Sequence, residues 1–139
     1  MKIIGFSLTK ISIERIEKIE GELKLDQNID IKNIEKENIP ISKDEALKIK
    51  FNFSINYSKN VAKVNFEGYL IILPEKDELK EILKLWKDKK IPNEIRIPLF
   101  NFIMNKCNIK ALNLEDEMGL PLHIPMPRIS PNNPPQNKK

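Results

Sequence analysis

The chain has 139 residues, 40% hydrophobic and 32% charged, enough for one domain with its own core, and no apolar run approaches the length of a membrane span. Its formal net charge is +4, but Arg128, Lys138 and Lys139 lie beyond Gly119 with no acid among them. The body is therefore nearly balanced and lacks the basic face of a dedicated nucleic-acid binder.

The N-terminus has neither a continuous apolar block nor a small-residue cleavage pattern, so no signal peptide is expected. Ile4, Phe6 and Leu8 share one parity and Ile11 and Ile13 the other, which predicts a first strand bent or bulged near Thr9-Lys10. It is expected to reach about Glu14; Ser12 to Glu20 also fits a short helical turn. Leu23, Leu25, Ile29 and Ile31 alternate with polar residues and predict a second strand, with a break at Gln27-Asn28. Asn33 to Asp44, with Pro40, reads as a polar connection. From Leu47 to Tyr57 every second residue is apolar, and Ala62, Val64, Phe66, Gly68, Leu70 and Ile72 return on one parity. A turn at Lys59-Asn60 pairs Phe53 with Phe66 and Phe51 with Gly68, placing the whole apolar set on one face. Four strands, each with one apolar face, predict an antiparallel sheet.

After Pro74 the period changes. Leu79, Ile82, Leu83 and Trp86 form one helical stripe, with Asp77 and Glu78 at its start and lysines at its end. Ile91-Pro92 stops it. A second helix begins near Asn93 or at Pro98 and runs through Phe100 to Cys107; its apolar residues cover more than one face, which predicts burial on more than one side. Asn113 is expected to cap a separate short turn, Leu114 to Met118, ended by Gly119. Six of the ten prolines follow, first alternating with Leu120, Leu122, Ile124 and Met126. The predicted class is α+β: a four-stranded antiparallel sheet, two helices packed on one face and an extended proline-rich C-terminal segment. Residues 1–129 form a single domain on this reading and residues 130–139 a disordered polar and basic tail.

The reactive side chains are few. With one histidine and one cysteine no zinc site is expected, and the four glycines build no phosphate loop, so neither metal nor cofactor is predicted. The single cysteine suits a reducing cytoplasm. A Cys107–His123 pair would lack an orienting third group, so Cys107 reads as core and His123 as a surface or packing residue. Glu115, Asp116 and Glu117 read as a solvated face. The run Pro121 to Pro127 fits a strand-like segment packed on its own domain better than a polyproline ligand. No enzyme is expected.

The order of elements resembles the SecB family of export chaperones. The resemblance spans roughly Phe6 to Ile129 and is most specific at Phe6-Ser7-Leu8-Thr9-Lys10-Ile11-Ser12, at Ile91-Pro92-Asn93 leading through Pro98 to Cys107, and at Leu120-Pro121 to Pro125. It implies an ATP-independent cytoplasmic holdase in protein transport, a dimer or tetramer binding unfolded polypeptide in apolar grooves. On matching elements, Trp86, Phe100, Leu122, Ile124 and Met126 would line the groove, and Phe102, Ile103 and the hairpin face would be core or subunit contact. Family members are typically acidic and engage the translocase motor SecA through an acidic sheet face and a tail; here the sheet face carries Lys48 and Lys50 and the tail is basic and proline-rich, which puts coupling to SecA in doubt. A general chaperone, or one serving a toxin–antitoxin pair, fits equally. The alternative is a ribosome- or RNA-associated factor using Lys48, Lys50, Arg128, Lys138 and Lys139.

Overall fold

The computed structural model describes residues 1–40, 45–127, 129 and 131. Four antiparallel strands, β1 (Lys2–Arg15), β2 (Leu25–Glu37), β3 (Ala46–Tyr57) and β4 (Ala62–Leu73), form one sheet in the order β1-β4-β3-β2. Helices α1 (Lys76–Trp86) and α2 (Asn93–Glu117) follow. Among the described residues, no helix is long and apolar enough to cross a membrane.

The alternation in β3 and β4 produces the expected register. Phe53 faces Phe66, Ile55 faces Val64 and Phe51 faces Gly68. Every apolar residue of β3 and its partners on β4 is buried. The connection passes through Ser58–Asn60, where Lys59 and Asn60 adopt left-handed φ values of 60° and 55°, the hand that suits hairpin twist. Gly68 cannot carry a side chain: a Cβ there would lie 2.4 Å from the Ser7 carbonyl oxygen. Phe51 covers the gap and stacks on Phe6 at 5.6 Å, and Phe6 meets Phe102 of α2 edge-on at 5.8 Å. These rings fix which sheet face the helices cover.

The strand ends differ from expectation where bulges intervene. The β1 register shifts between Leu8 and Lys10, as the parity change at Thr9-Lys10 predicts, and again between Ile3 and Gly5. β2 starts at Leu25, pairs without a break through Gln27 and Asn28, and continues five residues past Lys32. Its register shift lies between Ile31 and Asn33 and returns Ile34 to the buried face. A bulge that resets parity makes such a strand read as a loop.

α1 begins at a capping box between Glu75 and Glu78. α2 is one continuous helix from Asn93, with no separate turn after Asn113. Pro98 removes one intrahelical hydrogen bond, that to the carbonyl of Glu94, an exposed residue whose oxygen water can reach. The buried residues of α2 are Ile95, Leu99, Ile103, Cys107, Ala111 and Glu115, always four apart. Each step of four overshoots a full turn by about 40°, so the buried stripe winds around the helix. That winding lets a long helix follow a twisted sheet, and it explains why the apolar residues cover more than one face.

Candidate functional site

The helix connection carries the main candidate. Trp86 ends α1, and Lys89 follows with φ of 58°. The Lys89 N–H donates to the Trp86 carbonyl (2.9 Å) and the Lys90 N–H to that of Leu85 (3.0 Å). This is a helix ending that normally uses glycine at the left-handed position. Here the residue is lysine, at a conformational cost of about 1 kcal/mol, and its ammonium sits 4.6 Å from the centre of the Trp86 ring. Arg96 does the same to Phe100, with its guanidinium 5.1 Å from the ring centre. Between these rings and the inner residues of β2 lies a cleft of about 450 Å³, lined by Ile29, Asp30, Ile31, Trp86, Lys89, Lys90, Ile91, Arg96 and Phe100. β2 hydrogen-bonds to β3 on one side, and among the described residues its other edge is unpaired. The cleft therefore offers apolar rings beside open backbone donors and acceptors, the requirement for adding a strand from an extended peptide.

Of the five expected groove residues, the cleft joins Trp86 and Phe100 but not Leu122, Ile124 or Met126. Those three follow the other end of α2, where a polar cluster holds the exit segment. Glu115 is fully buried, not on a solvated face. Its Oε2 accepts a hydrogen bond from the Tyr57 hydroxyl at 2.9 Å, and its Oε1 lies 2.6 Å from His123 Nδ1. The His123 backbone N–H also donates to Oε1 (3.2 Å), and His123 Nε2 meets the side-chain amide of Asn108 at 2.8 Å. The side chains of His123 and Glu115 are 2% and 0% exposed. Burial, then the hydrogen bond and charge of Glu115, push the Tyr57 ionisation above its usual range. Gly119 (φ 65°) closes the helix with bonds from its N–H to Asp116 and from the Leu120 N–H to Glu115, and Leu120 is buried. Arg15 of β1 reaches across and donates Nη1–H to the Met118 carbonyl at 2.9 Å. α2 has no basic residue in its last turn, so Arg15 supplies the cation that the helix C-terminus favours.

The spacing of Glu115 and His123 gave no sign of this cluster, because Tyr57 and Arg15 come from distant strands. Cys107 is buried, and burial pushes its thiol up to about 12, as befits a core residue. No cluster of possible metal ligands occurs among the described residues.

On the outer sheet face Lys48 lies over the Tyr69 ring at 4.4 Å, and Lys50 stands 3.9 Å from Glu35. Acids alternate with lysines there: Glu35 pairs with Lys48 across the ladder, and Asp30 and Glu67 flank Asn52. Arg128, Lys138 and Lys139 lie outside the described residues, as does the expected tail 130–139 apart from Pro131.

The fold is that of the SecB-like chaperones. A solved structure, the Mycobacterium tuberculosis Rv1957 SecB-like chaperone in complex with a ChAD peptide from the Rv1956 HigA1 antitoxin, superposes over 94% of this chain and 91% of that one, with a TM-score of 0.56 and 14% sequence identity. No protein-family model and no curated protein sequence matches the chain.

Proposed function

We propose that this protein is an ATP-independent holdase that binds unfolded polypeptide and keeps it from aggregating. The observation that carries the reading is the Trp86–Phe100 cleft beside the unpaired edge of β2, on a chaperone fold. Apolar burial supplies affinity and strand addition supplies tolerance of sequence, so no covalent step, metal or cofactor is required. A homo-oligomer in the cytoplasm fits the exposed apolar residues Ile97 and Ile109 on α2 and the single buried thiol. The neighbour's bound antitoxin peptide supports a polypeptide client, and service to a toxin–antitoxin pair is as good a fit as export. Support for RNA binding is weaker, because acids interleave the outer-face lysines.

The test is suppression of light scattering by a chemically unfolded client, without nucleotide and at stoichiometric chaperone. The full chain is expected to suppress it, and the pair Trp86→Ser with Phe100→Ser to lose most of that effect while keeping its native circular dichroism. No suppression by the full chain would overturn the reading.

A further inference from the structure

Resting on that reading, we infer that the cleft selects polypeptide segments whose apolar residues are flanked by acidic ones. Three cations, Lys89, Lys90 and Arg96, line the cleft, and the one acid along it, Asp30, belongs to the outer-face row of β2 with Lys32 3.9 Å away. Two of the cations lie on the aromatic faces that a client side chain would occupy. An incoming apolar residue takes the ring face, and the displaced ammonium and guanidinium swing to the rim on flexible stems. They lose their ring contacts and regain a partner only if the client brings one. An aspartate or glutamate two positions from the apolar residue supplies it; a lysine there meets like charge. In an extended segment along β2, every second side chain shares a face, so an acidic residue two positions from an apolar one enters on the same side and meets the rim cations.

Lys89 strengthens the case. Its left-handed backbone would suit glycine better, yet it carries the charge that covers Trp86. Such a local cost, held where a ring is presented to solvent, fits a cation kept for what it meets there. A nucleic acid could also stack on rings flanked by cations. The aliphatic floor of Ile29, Ile31 and Ile91 and the open strand edge favour a polypeptide, whose backbone can pair with β2.

Trp86 is the only tryptophan, so its emission reports occupancy of the cleft directly. The experiment titrates the full chain with three tryptophan-free peptides sharing one apolar centre and flanked by aspartates, serines or lysines. Aspartate flanks are expected to bind best and lysine flanks worst, with a span of roughly tenfold at low salt that narrows as salt rises. Lys90→Glu with Arg96→Glu reverses the order. Lys89→Gly, which relieves the backbone, reduces the preference without loss of fold. Equal binding of all three peptides, or preference for lysine flanks, overturns the selectivity and leaves the holdase reading standing. Binding of none overturns both. Tighter binding of an oligouridine than of the aspartate-flanked peptide overturns the inference in favour of nucleic acid.

Discussion

At its C-terminal end α2 meets its surroundings through a buried carboxylate with a full set of partners: Tyr57, His123 and the His123 backbone. At its N-terminal end it meets them through aromatic rings whose outer faces are covered by cations from exposed residues. The first arrangement has one geometry, because each buried polar group would be costly to leave unpaired. The second has many, because ring and cation both accept substitutes. One helix thus carries a fixed anchor and an adaptable surface, roughly 22 Å apart by helix rise between Phe100 and Glu115. Position along the helix separates the residues that hold the fold from those free to exchange partners.

The sharpest way to break this contrast is Glu115→Ala. It leaves His123 Nδ1 without its partner and the Tyr57 hydroxyl with only the Pro121 carbonyl, and the expected loss is roughly 2–3 kcal/mol of unfolding free energy in urea. A loss below about 1 kcal/mol would mean that the cluster is not an anchor. Arg15→Ala should be milder. It removes the cation and donor at the end of α2, and the same measurement should show a loss of about 1–2 kcal/mol.

Tyr57→Phe should cost only about 1 kcal/mol at neutral pH, and its diagnostic effect is alkaline. The folded state holds the Tyr57 proton more tightly than the unfolded state does. Stability from this group is complete below its ordinary value of about 10 and drains away as pH rises beyond it. The Cys107 thiol, pushed up to about 12 by burial, adds to the same alkaline loss. Midpoints of urea unfolding measured at rising pH should fall less steeply in Tyr57→Phe than in the parent; identical slopes would remove the hydroxyl from the anchor.

The sequence showed these regions unequally. The β3–β4 register was legible because apolar residues alternate without a break and the turn adds no bulge between them. The far half of β2 was hidden by one extra residue near Lys32, which moves Ile34 out of phase. α2 looked shorter because Pro98 and Asn113 resemble helix boundaries, yet its buried stripe runs from Ile95 to Glu115 past both. Trp86 and Phe100 could be nominated from the family resemblance, but the cations over them could not. The anchor was invisible: Glu115 sits in an acidic triplet and His123 among prolines, and only the packing of β1 and β3 against the helix end brings Arg15 and Tyr57 to them.

The winding stripe on α2 has a geometric consequence for assembly. Ile97 and Ile109 are 62% and 72% exposed, each opposite the core at its own level. Twelve residues separate them, so on a regular helix they point about 120° apart. A flat partner that covers one turns its edge to the other. Burying both therefore takes either a partner that wraps the helix or two neighbours approaching from different sides.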